Sequence, residues 1–250
     1  MSDVIAEPAY PHKEPKDPLG DGVSLVEYIQ HTGSDKMIVH AARVSYAADT
    51  RDVEFNPKDR KLLKFLLENN HGTPLEHNLI TFKVRAPLYV IQEMLRHRIG
   101  TSFNQESYRY IEPGAKSDVI CRFYVPQKFR KQDQKNKQSS TGEFDEVSND
   151  LVTFFYRQQC ENAFKTYESL LENGVARELA RGVLPHSTYS SLYFTCNIRS
   201  LVHFLGLRLD TRAQWEIQMY ARAMADIAKS LFPETFDVLK ELGKLEVPNG

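Results

Sequence analysis

Around Pro87 the spacing of apolar residues changes from every second position to every third or fourth. Upstream, Ile80, Phe82, Val84 and Ala86 alternate with Thr81, Lys83 and Arg85, the pattern of a half-buried strand. Downstream, Leu88, Ile91, Leu95 and Ile99 share one side of a helix that Pro87 opens, the first helical turn being where proline is tolerated. That helix delivers Arg96, His97 and Arg98 at its C-terminal end. Successive helical residues point about 100° apart, so Arg96 and Arg98 diverge by about 200° and one helix end can serve two ligands.

The rest of the chain continues the mixture. Residues 24–30 predict a first strand, and Ser34 caps a helix running to Val44. Leu62, Leu63, Leu66 and Leu67 stripe a helix over 59–69, which Gly72 stops. A strand over 119–125 is closed by Pro126. A long helix ends near Asn173 at Gly174, and a short one over 175–184 stops at Pro185. Residues 187–196 are rich in β-branched and aromatic residues, as a strand requires. Asn197 caps a helix that buries Ile198, Leu201, Val202 and Leu205, and Thr211 with Gln214 forms a capping-box pattern for a helix over 213–231. Helices and strands alternate irregularly and nothing repeats, so the expected class is α+β, one domain of mixed helices and antiparallel strands. Residues 1–20, with Pro8, Pro11, Pro15 and Pro18, are expected to form a disordered arm before a domain over 21–244 and a tail over 245–250. Within the domain, 127–148 has almost no apolar residues and is expected to be a mobile surface insertion.

The segment from Arg96 to Tyr110 carries the chemistry. It sets Arg96, His97, Arg98, Gln105, Glu106, Ser107, Tyr108 and Arg109 close together without the opposite-charge i,i+4 pairs of a solvated helix face. Arginine grips phosphate and carboxylate bidentately, so the run reads as an anion site, with an interface salt-bridge cluster as the alternative. The whole chain has a net charge of −1, so anion binding must be local and no nucleic acid is recruited globally. Arg181 and Arg208 stand among apolar neighbours and need anionic partners; Asp210 and Glu216 are the candidates for Arg208. Arg199 and His203 fall at i and i+4 on one helix face. The three cysteines, Cys121, Cys160 and Cys196, form no Cys-x-x-Cys pair and read as reduced thiols of a cytoplasmic protein. No apolar stretch approaches a membrane span and the Met1 end has no signal-peptide core, so no membrane partner is expected.

Arg96-His97-Arg98, then eight residues, then Ser107-Tyr108-Arg109, resembles the signature of the flavin-dependent thymidylate synthases. Further segments follow that family's order: Ala42-Arg43-Val44-Ser45, Thr73-Pro74-Leu75-Glu76-His77, Arg177 to Arg181, Asn197 to Leu201, and Ala213 to Ile217. The resemblance implies that family's fold, a homotetramer with sites built from several subunits, and FAD as cofactor. It also implies NADPH and methylenetetrahydrofolate as co-substrates in the conversion of dUMP to dTMP. It places Thr73, Arg96, His97, Arg98, Gln105, Asn197, Ile198, Arg199 and His203 on the flavin. Glu93, Arg96, Gln105, Glu106, Ser107, Tyr108, Arg109, Arg181 and Arg208 fall on the nucleotide, with Arg208 and Ser107 catalytic. Glu93 stands where some members carry Gln.

Other readings are weaker. A Ser107 nucleophile with His97 as base lacks a Gly-x-Ser-x-Gly elbow. Zinc at His71, Glu76 and His77 lacks helical i,i+4 spacing, so no metal is expected. No Gly-x-Gly-x-x-Gly supports a Rossmann site, which the resembled family does not use. The rivals are a nucleic-acid-binding module using the arginines with Tyr108 and Tyr110, and a nucleotide-binding enzyme without flavin chemistry.

Overall fold

The alternating segment before Pro87 lies inside a four-stranded antiparallel sheet of order β1-β2-β6-β3. The computed structural model describes residues 14–46, 54–113, 122–137 and 139–246. The strands are β1 (Leu25–Thr32), β2 (Leu79–Pro87), β3 (Thr101–Gln105), β4 (Arg130–Gln132), β5 (Ser140–Glu143) and β6 (Tyr189–Asn197). The helices are α1 (Asp35–Arg43), α2 (Pro57–Glu68), α3 (Thr73–Glu76), α4 (Leu88–Met94), α5 (Glu146–Glu172), α6 (Arg177–Ala180), α7 (Ile198–Arg208), α8 (Trp215–Leu231) and α9 (Pro233–Glu241).

β2 pairs along its whole length with β6, from Leu79↔Asn197 to Pro87↔Tyr189. β3 pairs with the far half of β6, from Thr101↔Cys196 to Gln105↔Leu192. Ile80, Phe82, Val84 and Ala86 are fully buried; α4 packs on β2, α7 on β6 and α8 on β1. On the other face the Thr81 and Thr195 hydroxyls meet at 2.9 Å and Lys83 reaches Glu27 at 3.8 Å. An aromatic row crosses the core: Phe103 stacks on Phe194, Phe194 meets Phe204 edge-on, and Phe204 meets His97 edge-on. Burying each of Phe194 and Phe204 contributes roughly 1.5–3 kcal/mol. A smaller core of Tyr108, Phe164, Tyr167, Ala180 and Leu184 fastens the loop after β3 to α5 and α6.

The cap signals hold where they are local. The Ser34 side chain accepts from Met37 N, and Asn197 from Ser200 N. Several boundaries move. α2 begins at Pro57 behind a capping box of Asn56 and Asp59, and ends at Glu68, the chain turning away through Asn70 (φ 57°) before Gly72 is reached. α4 stops at Met94, because the chain must reverse through Gly100 (φ 65°) into β3. Arg96 to Arg98 are therefore not helical, and the 200° divergence does not apply to them. Gln214 precedes α8 without a side-chain cap and donates instead to Glu216. The 175–184 helix is only α6 followed by a 3-10 turn over 181–183. Of the expected strand over 119–125, Phe123 makes a single bridge to Thr188, and 119–121 lie outside the described residues.

The expected disordered arm is docked from Lys16 on. Lys16 bridges Val26, and Leu19 enters the core beside a turn in which Asp17 accepts from Gly20 and Gly22. Residues 1–13 lie outside the described residues. At the other end Leu245 of the expected tail is buried. The expected mobile insertion carries the β4–β5 hairpin, and its Arg130 donates twice to Glu216 of α8, at 2.8 and 2.9 Å. Its last residues open α5. A hairpin this polar is held by a long-range ion pair, which composition does not register.

Candidate active site

α4 and the last turn of α7 meet at His97. The His97 N–H donates to Met94 O at 3.0 Å and its carbonyl accepts from Thr101 Oγ1 at 2.6 Å, so the backbone is tied on both sides. The ring is buried against Phe204 and His203, with centroids 4.9 and 5.9 Å away. Arg208 Nε donates to His97 Nε2 at 3.1 Å, Nη1 to Glu93 Oε2 at 2.6 Å and Nη2 to Glu93 O at 3.0 Å. The expected partners of Arg208 are engaged elsewhere, Asp210 with Arg212 and Glu216 with Arg130. Burial first, then the positive charge of Arg208, then His203, push the His97 pKa down to about 4. Its neighbours Arg96 and Arg98 are exposed.

The N-terminus of α7 joins this group. A Cβ on Gly100 would fall 2.4 Å from both Asn197 Nδ2 and Ser200 Oγ, so glycine is required by space as well as by φ. Ser200 Oγ in turn donates to Ile99 O at 2.8 Å. Arg199 pairs with Glu76 of α3 and lies over Gly72, where a Cβ would collide with its guanidinium. Arg199 and His203 border an open groove of about 420 Å³ floored by Leu66, Leu67, Leu75 and Val202. Thr73 opens α3 beside it. Ile198, expected on the cofactor, instead buries its side chain in the core and spends its N–H on Asn78 O. The i,i+4 spacing revealed Arg199 and His203, whereas Gly72, Gly100 and the Glu76 partner had no local signal.

A second group forms at the other end of β3. Gln105 Nε2 donates to Ser190 Oγ at 3.1 Å, and Glu106 accepts from Ser191 N at 3.0 Å. Ser107 Oγ accepts from Arg109 N at 3.4 Å. Arg109 is exposed, 3.9 Å from Glu178 and stacked over Tyr110. Arg181, expected among apolar neighbours, is exposed, with Nε on Glu178 O at 3.4 Å. Tyr108 is buried and bonds Tyr189 O through its hydroxyl, so it supports the loop and offers no face for stacking a base. That removes one of the two aromatics on which the nucleic-acid reading rested. β3, about 13 Å long at 3.3 Å per residue, lies along the chain between the Arg96–Arg98 run bonded to Arg208 and the Glu106–Arg109 loop.

The family model described as thymidylate synthase complementing protein matches residues 25–234. The chain belongs to this family. Among relatives in the family, the flavin-dependent thymidylate synthase of Thermosipho africanus is 45% identical over 213 residues, 85% of this chain and 89% of the relative. That of Thermus thermophilus is 40% identical over 218 residues, 87% of this chain and 76% of the relative. The crystal structure of a UMP/dUMP methylase PolB from Streptomyces cacaoi bound with 5-Br dUMP superposes with a TM-score of 0.78. It is 38% identical and covers 89% of this chain and 97% of that one. A flavin fits what lies between α2 and α7: an apolar floor for a flat ring, a cationic and imidazole border for its polar edge, and a glycine where a Cβ would block Arg199.

Proposed function

We propose that this chain is a flavin-dependent thymidylate synthase that methylates dUMP to dTMP, taking the methylene from methylenetetrahydrofolate and reducing equivalents from NADPH. Bound FAD supplies the redox chemistry that passes those equivalents on. The observation that carries the reading is the junction of the Arg96-His97-Arg98 run with Arg208 beside the groove of Arg199 and His203. Thr73, Arg96, His97, Arg98, Gln105, Asn197, Arg199 and His203 hold the flavin; Ile198 supports the helix that carries Arg199 and His203. Arg208 faces the uracil with the N–H groups left after its protein bonds. A fixed cation there stabilises the pyrimidine anion and makes C5 a better nucleophile. Glu93 Oε1 borders the base. Glu106, Ser107, Arg109 and Arg181 hold the nucleotide phosphate and sugar, and Ser107 keeps the pyrimidine in place.

As the resemblance implies, the assembly is a homotetramer in which the Arg208 group of one copy and the Arg109–Arg181 group of another complete each site. The buried thiols of Cys160 and Cys196 suit the reducing cytoplasm. Among the described residues no helix is long and apolar enough to cross a membrane. The purified protein is expected to be yellow and to release non-covalent flavin on denaturation, and to oxidise reduced flavin in a dUMP-dependent manner. A colourless protein that also fails to take up FAD sinks the proposal.

A further inference from the structure

Glu93 directs both its carboxylate and its own backbone carbonyl at one side chain, Arg208. A guanidinium has five N–H donors and no acceptor. Arg208 commits three of them, one to His97 Nε2, one to Glu93 Oε2 and one to Glu93 O. The bond to His97 therefore has one possible sense: Nε–H donates and Nε2 offers its lone pair. An imidazole that accepts through Nε2 carries its proton on Nδ1. The ring packs against Phe204 and His203, and its backbone is tied at Met94 and Thr101.

We propose that Glu93 is a positioning residue: by holding the Arg208 guanidinium it fixes His97 in the Nδ1–H tautomer and leaves Arg208 two N–H donors for the substrate. His97 is then a hydrogen-bond donor to a carbonyl-bearing heteroaromatic ring, and it has no free lone pair with which to act as a base. Among the described residues nothing bonds to Nδ1. The naming of that ring as flavin or pyrimidine rests on the proposed function; the tautomer rests on the contacts alone. The carboxylate has a second effect. Placed 2.6 Å from Nη1, it offsets part of the charge that Arg208 presents. A glutamine at 93 keeps an acceptor for the same N–H but removes that offset.

The test is nitrogen-15 spectroscopy of ring-labelled histidine in the protein as purified, at neutral pH, with His97 assigned through His97→Gln. Wild type should show a protonated Nδ1 and an unprotonated Nε2. Arg208→Met should move the proton onto Nε2, Glu93→Ala should do so in part, and Glu93→Gln should not. Turnover should fall about tenfold or more in Glu93→Ala, as expected for one charge-assisted bond, and by less in Glu93→Gln, which keeps an acceptor for Nη1, with flavin retained in both. A wild-type His97 that is doubly protonated, or protonated on Nε2, overturns the proposal. So does a Glu93→Ala protein with wild-type tautomer and turnover. Should Arg208→Met not fold, the wild-type spectrum and the half-exposed Glu93 variants still decide. Failure of the wild-type protein to bind flavin or methylate dUMP would instead defeat the proposed function and leave the tautomer result standing.

Discussion

Burial of His97 between Phe204 and His203, with the Arg208 charge on its Nε2 side, holds the ring pKa near 4 against an ordinary 6.5. Unfolded, the same ring takes a proton near 6.5, so between those values the unfolded chain binds more protons and stability rises with pH. The contribution of neutral His97 is complete above about 6.5 and is lost as pH falls toward 4. Melting temperature should therefore be flat above neutrality and decline through that window. His31, whose pKa burial also lowers, adds a slope of the same sign. The difference between wild type and His97→Gln isolates His97, because Gln offers Arg208 an acceptor that does not titrate there. A variant that loses stability with acid as steeply as wild type would show that the window belongs to other groups.

Among the elements, the β4–β5 hairpin departs most from what composition predicts. Its strands are almost wholly exposed, yet Arg130 reaches Glu216, which is 1% exposed at the start of α8. Removing the cation leaves a buried carboxylate with only Gln214 beside it, a loss of about 3 kcal/mol or more. For a chain of this size, that lowers the melting temperature by about 6–12 °C. Arg130→Met should show this loss, and adding Glu216→Leu should recover most of it, since an apolar pair of similar volume avoids the desolvation penalty. Deletion of 130–142, harmless on composition alone, should cost as much as Arg130→Met because it removes the same cation. Calorimetry that finds Arg130→Met as stable as wild type would mean that the hairpin is not anchored through this pair.

At the scale of the whole molecule, the proposed assembly is tested through the two groups at the ends of β3. If each site takes Arg208 from one copy and Arg109 from another, Arg208→Ala and Arg109→Ala chains are each inactive alone and complement when mixed. Random assembly of equal amounts should restore about a quarter of the wild-type sites, because one combination in four places both intact groups together. Co-expression of differently tagged chains, purification of the mixed oligomer and measurement of dTMP formation give the number directly. No recovery in a mixed oligomer that retains flavin would place both groups in one chain's site.

What was legible in the sequence was what depends on neighbours within a turn or along one strand. The β2 alternation, the Ser34 and Asn197 caps, the Gly174 stop and the Arg199–His203 pair all follow from spacings of two to four residues, and all are present. The Arg96-His97-Arg98 run could be recognised as a site, but not its shape, because α4 ends where the chain must reverse into β3. The partner of Arg208 was likewise beyond local reasoning: Asp210 and Glu216 were nearer in sequence, and Glu93 is 115 residues away. Which carboxylate an arginine reaches depends on how α4 and α7 pack over the sheet, and that packing is set by the burial of Phe82, Phe194 and Phe204 together. The same holds for the docking of Leu19 and Leu245, and for Arg130 on Glu216. By itself the sequence determined the elements, the caps and the chemical identity of the site's groups. Only the tertiary structure decided which groups meet, because those contacts join segments whose approach no short-range spacing encodes.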